Sequence, residues 1–237
     1  MAFMNSFLSM SALDGPGIRC VAFLQGCPLR CVYCHNPDTW SFGRGSQIMA
    51  IELLHRVLRY KNYFGAKGGV TLSGGEPFAQ AEFAAEFFAL CKKNGINTAV
   101  DTSGAVLDEN VIKALEFTDL CMLDIKLTDE ESYKKYTGGS LEQTLSFLQS
   151  LDKIKVRTWI RQVIVPGIND TEQHTAALKR LCASYKCIEK IELLPFRKLC
   201  ISKYQALGID FPLKDTPEAS PELVLRLNKS LTSELSL

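Results

Sequence analysis

The chain has 237 residues, 46% of them hydrophobic, and its 27 Lys and Arg nearly cancel 26 Asp and Glu to leave a formal net charge of +1. That length can bury a substantial core without staples, and the balanced charge gives no footing for nucleic acid or an anionic membrane as partner. No apolar run is long enough to span a bilayer and Met1–Leu13 lacks the basic start of a secretory signal, so the expectation is one domain, 1–237, in the cytoplasm.

Along the chain the apolar period switches repeatedly between strand-like and helix-like. Ile18–Leu24 is β-rich and ends at Gly26. Ile51, Leu54, Val57 and Leu58 mark a helical stripe, and Val70–Leu72 is a short strand stopped by Ser73-Gly74-Gly75. Phe83, Phe87, Leu90 and Cys91 form the next stripe, closed by Gly95 as a helix C-terminus requires. Strands follow at Asn97–Val100, Leu120–Ile125, Val156–Val165 and Ile188–Leu194. Helical segments lie at Val111–Phe117, Leu141–Leu151, after a cap at Asp170, and at Pro221–Ser233. Six strands in β-α alternation give an α/β fold, a partial (β/α)6 barrel with helices outside; a flat parallel sheet is the alternative. Gly65–Gly69 and Lys198–Pro217 are the loosest stretches.

The unusual residues gather just after the strands, where α/β barrels build their sites. Cys27 to Cys34 follows the first strand and Gly74-Gly75-Glu76 the second. Asp101-Thr102-Ser103 ends the third, Asp124 and Lys126 the fourth, and Pro166-Gly167-Ile168-Asn169 follows the fifth. Of nine cysteines, Cys27, Cys31 and Cys34 cluster in one short loop; the other six sit in or beside apolar segments, as buried small hydrophobes do. Three thiolates can wrap one iron–sulfur cubane and leave one iron without a protein ligand. A zinc-stabilised binding module is the competing reading, because Cys31 and Cys34 have zinc-knuckle spacing. That reading lacks a good fourth ligand, since His35 adjoins Cys34, while His55 and His174 fall in helices.

The Cys-x3-Cys-x2-Cys loop with aromatic Tyr33 before its last cysteine resembles the radical S-adenosylmethionine superfamily. Asp14-Gly-Pro-Gly-Ile-Arg19, Gln25-Gly-Cys27, Tyr33-Cys-His-Asn36, Asp38-Thr-Trp40, Ser73-Gly-Gly-Glu76, Met122-Leu-Asp-Ile-Lys126, Trp159-Ile-Arg161, Val165-Pro-Gly167 and Ile191-Glu-Leu-Leu-Pro195 extend the likeness. Together they resemble the glycyl-radical-enzyme activases, most closely those acting on pyruvate formate-lyase. No cysteine lies between Asn36 and Leu72, which matches the compact type without a ferredoxin-like insert.

The resemblance implies a [4Fe-4S] cluster on Cys27, Cys31 and Cys34, with S-adenosylmethionine on the open iron. One electron would split the cofactor and generate a radical that takes hydrogen from a backbone glycine of a partner enzyme. It implies cofactor contacts at Tyr33, Cys34, His35, Gly74, Gly75, Glu76, Asp101, Asp124, Ile125 and Ser202, with Lys126 at the cofactor carboxylate. Gly74 and Gly75 would let the backbone approach the cofactor. A monovalent cation near Asp101, Thr102, Met122 and Asp124, a flavodoxin or ferredoxin donor, and a monomer are implied likewise. Arg161 would point into the barrel, and the Asp14–Gly17 turn would touch the partner's loop. Arg197 and Ser202 stand where close members carry histidine, and Gln162 where they carry an aromatic. These departures open the alternatives of another glycyl radical enzyme, or a small molecule, as substrate.

Overall fold

The computed structural model describes residues 1–233. Six strands run parallel in sequence order: β2 (Arg19–Leu24), β4 (Gly69–Gly74), β5 (Asn97–Thr102), β6 (Leu120–Asp124), β7 (Thr158–Ile164) and β8 (Ile188–Pro195). Two strands absent from the sequence reading extend the β2 edge. β1 (Ala2–Ser11) pairs antiparallel with β2, and β3 (Ser46–Ile48) pairs antiparallel with β1. The sheet is therefore an open α/β array of eight strands with the expected six-stranded parallel core.

β1 escapes periodicity for a physical reason. Its register with β2 shifts between Met4 and Ser6, so alternation is broken midway. Ala2 and Met4 are buried before the shift, Phe7 packs on the core after it, and Leu8 and Met10 are exposed.

Helices α1 (Ala50–Leu58), α2 (Ala81–Lys93), α3 (Glu109–Leu115), α5 (Leu141–Ile154), α6 (Glu172–Cys182) and α8 (Pro221–Ser233) match the expected segments. Thr171 rather than Asp170 caps α6, its hydroxyl accepting from the His174 N–H at 3.2 Å. Two further helices went unforeseen. α4 (Glu130–Thr137) buries only Tyr133 and Thr137, too little for a stripe, although Asp129 caps its start and Gly138, at φ +71°, its end. α7 (Ile201–Leu207) lies inside the stretch expected to be loose and buries only Tyr204.

The main core lies between the sheet and its helices, built on Leu72, Phe87, Phe88, Leu123 and Phe147 among others. A second core at the C-terminal end of the sheet joins Leu29, Cys31 and Tyr33 of the cysteine loop to Phe196, Cys200, Tyr204 and Phe211. The six cysteines outside the loop are free and mostly buried, Cys187 being half-buried. Among the described residues no helix is long and apolar enough to cross a membrane.

Candidate active site

The C-terminal ends of the parallel strands, and the loops that leave them, converge on one mouth. The cysteine loop leaves β2 at Gly26 and is laced to its neighbours through the backbone. Gly26 N–H donates to Thr39 O (2.7 Å), Arg30 N–H to Thr137 O (2.8 Å) and Val32 N–H to Tyr136 O (3.0 Å). α4, though polar, thus serves as the outer wall of the loop.

The loop after β4 is equally constrained. Gly75 N–H donates to Leu24 O (2.9 Å) and Glu76 N–H to Gly26 O (2.8 Å). A Cβ on Gly75 would lie 2.3 Å from Gly26 O, and one on Gly74 2.5 Å from Leu24 backbone atoms. Gly74 also has φ +115°, which L side chains rarely adopt. These glycines are demanded first by the approach of one backbone to another, a reason the sequence reading did not supply.

Glu76 is fully buried and accepts from Phe78 N–H (3.1 Å), Thr102 Oγ1–H (2.6 Å), Ser103 N–H (3.0 Å) and Ser103 Oγ–H (2.5 Å). It ties the ends of β4 and β5 together and does not line the cavity, contrary to its expected place at the cofactor.

A cavity of about 240 Å3 opens at this mouth. Cys27, Cys31, Tyr33, Cys34 and His35 line it from the loop; Gly74, Gly75, Asp101, Asp124 and Lys126 line it from the sheet. Ile125, fully buried, alternates to the far side, where its carbonyl accepts from Gln162 Nε2 (2.8 Å). Ser202 is exposed on α7 and does not reach the cavity. Arg197 turns its guanidinium toward Glu218 (3.2 Å) and offers only its carbonyl, 2.8 Å from His35 Nε2. A carbonyl accepts only, so Nε2 carries the proton and Nδ1 of a neutral His35 is an acceptor. Asn36, Trp40, Ser73, Val163 and Leu194 also line the cavity. Val163 and Leu194 are register partners at the ends of β7 and β8, so strand phase was the available signal for them.

The electrostatics are those of a buried charged site. Burial pushes the Cys27 thiol up to about 12, Cys31 to about 11, and Cys34 upward as well. Ionising them therefore needs a positive charge, which bound iron provides. Burial disfavours the Lys126 ammonium, but the Asp124 carboxylate at 2.8 Å outweighs it and holds the amine charged. Burial raises Asp101 to about 6, opposed by Arg161 at 3.5 Å. Arg161 also lies 3.8 Å from Met122 Sδ, and the Thr102 hydroxyl is committed to Glu76. Asp101 is thus served by Arg161, Thr102 by Glu76 and Asp124 by Lys126, and the expectation of a monovalent cation there gains no support.

Among the described residues no three His, Cys, Asp or Glu side chains converge on one metal ion. The three loop thiols line one cavity together, and among the described residues no histidine other than His35, which adjoins Cys34, lines it as a candidate fourth ligand for zinc.

Comparison with known proteins agrees. The Radical SAM superfamily model matches residues 21–178. A pyruvate formate-lyase-activating enzyme of Clostridium pasteurianum is 44% identical over 98% of this chain and 97% of its own. The pyruvate formate-lyase 1-activating enzyme of Escherichia coli (strain K12) is 40% identical over 94% and 92%. The crystal structure of a domain of a pyruvate-formate lyase-activating enzyme from Bacteroides vulgatus superposes with a TM-score of 0.58 at 25% identity, over 70% of this chain and 93% of that one. Streptococcus suis SuiB bound to S-adenosylmethionine shares the fold at 15% identity, with a TM-score of 0.60 over 70% of this chain and 37% of that one. At such identity over nearly whole chains, this protein belongs to the radical SAM superfamily, in its branch of glycyl-radical-enzyme activases, which work with a [4Fe-4S] cluster and S-adenosylmethionine.

Proposed function

We propose that the glycyl radical enzyme this chain activates is a pyruvate formate-lyase, and that the electron arrives from a flavodoxin or ferredoxin. The identity of 44% with an enzyme of that name, running almost end to end, carries the reading of the partner. The departures at Arg197 and Ser202 favour another partner only if their side chains meet cofactor or substrate. One is paired with Glu218 and the other is exposed on α7. Neither reaches the cavity, so the alternative loses its main support.

Cluster and S-adenosylmethionine, when bound, supply the one-electron cleavage and the hydrogen abstraction from a backbone glycine. The chain's own residues hold and shield. Cys27, Cys31 and Cys34 would hold the cluster through three thiolates. Lys126, kept charged by Asp124, suits a carboxylate as a point cation with three donors. The Gly74–Gly75 backbone forms the floor beside it, braced from behind by Glu76. Leu29, Val163 and Leu194 give apolar walls that keep water from the reacting atoms.

The test is anaerobic mixing of reduced, iron-loaded chain with S-adenosylmethionine and the pyruvate formate-lyase of the same cell. A glycyl-radical EPR doublet is expected. A doublet only with a different glycyl radical enzyme would transfer the assignment to that partner, and none with any would overturn the reading.

A further inference from the structure

Helix α7 reaches back to the cysteine loop through one cation. Lys203 Nζ lies 2.8 Å from Asn36 Oδ1 and 3.0 Å from Asp38 Oδ1. An ammonium only donates, so the Asn36 atom facing Lys203 has to be the amide oxygen, whichever way an amide might otherwise be flipped. The other end of the amide, Nδ2, is then fixed with its two N–H groups turned elsewhere. Asn36 lines the cavity, and no hydrogen bond within the described residues uses Nδ2. The backbone beneath is fixed as well: Asn36 N–H faces the Cys34 sulfur at 3.4 Å, and Thr39 Oγ1 donates to Asn36 O at 2.7 Å. The Trp40 and Tyr204 rings meet edge to face, 6.0 Å apart, and lock the same two segments a turn further on.

We propose that Lys203 is a positioning residue for the cofactor: it holds Asn36 so that the amide N–H groups donate into the cavity, to an acceptor atom of S-adenosylmethionine. Without Lys203 the amide is free to rotate and present its oxygen, which the same acceptor would repel. The inference rests on the radical SAM reading of the cavity and adds a residue that lies outside it.

A double-mutant cycle tests it, because two residues acting through one contact do not add. The readout is S-adenosylmethionine affinity, measured by equilibrium dialysis against the iron-loaded chain and by the perturbation of its reduced-cluster EPR signal. Lys203→Met and Asn36→Ala are each expected to weaken binding about tenfold, the scale of one lost polar hydrogen bond. The double variant is expected to be no weaker than Asn36→Ala, and Lys203→Arg to recover most of the affinity. Unchanged affinity in Lys203→Met, or effects that multiply in the double variant, overturns the proposal. Should Lys203→Met not hold iron, Lys203→Ala carries the same cycle, and iron loss in both overturns it too, since the residue would then be a structural tie. A wild-type chain that holds iron but binds no S-adenosylmethionine would overturn the underlying reading instead.

Discussion

Glu76 concentrates more hydrogen bonds than any catalytic candidate, yet it faces away from the cavity. Four donors converge on its carboxylate, two from Ser103 and one each from Thr102 and Phe78. Glu76→Gln keeps the shape but turns an NH2 toward donors, leaving at least one buried donor unsatisfied. The expected cost is about 2–3 kcal/mol of folding stability, read as a lower urea midpoint of the iron-free chain. An unchanged midpoint would mean that the carboxylate does not brace the loop. Asp101 carries the pH dependence. Burial raises it from an ordinary 3.8 to about 6. Between those values the folded chain holds a proton that the unfolded chain has released. Its contribution to stability is therefore full below about pH 4 and declines as pH rises to about 6. Asp101→Asn should remove that decline, visible as a urea midpoint at pH 6.5 that stands higher relative to that at pH 4.5 than it does in the parent. An unaltered gap would assign the dependence to other groups. The cysteine triplet was plain from spacing alone, because thiolate ligation needs little beyond a short loop. The inward or outward phase of Glu76 and Ile125 was not, since a motif states which residues are near and says nothing of which way they face.

At the scale of elements, what the sequence made legible follows how each element is stabilised. The six parallel strands and the helices covering them bury continuous apolar runs or wide stripes, and periodicity reports both. α4 and α7 bury two residues and one, so pattern could not find them, though both brace the cysteine loop or the segment after it. α4 had a readable frame in Asp129 and Gly138; α7 had only Gly208 at its end. The junction of β2 and β4 shows an element-level requirement in its sharpest form. Gly75→Ala would bring a methyl to 2.3 Å from Gly26 O and 3.0 Å from Thr39 O, both backbone atoms that cannot step aside independently. Gly26 is the residue from which the cysteine loop departs, and its N–H holds Thr39 O at 2.7 Å. The substitution should therefore displace the loop rather than unfold the sheet. Far-ultraviolet circular dichroism should stay near that of the parent, with a stability cost of about 1–3 kcal/mol, while iron and sulfide per chain fall by more than half after reconstitution. Full iron content in Gly75→Ala would show that the loop tolerates the shift.

Over the whole molecule, the two hydrophobic cores divide the labour. The larger one, between sheet and helices, contains none of Cys27, Cys31 and Cys34; the smaller one is built partly from the cysteine loop itself, through Leu29, Cys31 and Tyr33. Its other half comes from the chain after β8, at Phe196, Cys200, Tyr204, Phe211 and Ala219. The segments are joined further by Lys203 to Asp38 and by His35 to the Arg197 carbonyl. Iron on the loop cysteines would add order to this smaller core, because Cys31, buried, and Cys27 and Cys34, partly buried, would gain strong bonds where they otherwise sit as neutral thiols. Removing iron should therefore loosen one end of the molecule and leave the rest. Hydrogen exchange of iron-loaded and chelator-treated chain should show faster exchange at 27–40 and 196–211 after chelation. The amides of β5 and β6, whose own residues Val100, Cys121 and Leu123 are fully buried in the larger core, should keep their protection. If exchange instead rises uniformly over all strands, the two cores form one cooperative unit, and the cluster stabilises the whole fold rather than its catalytic end.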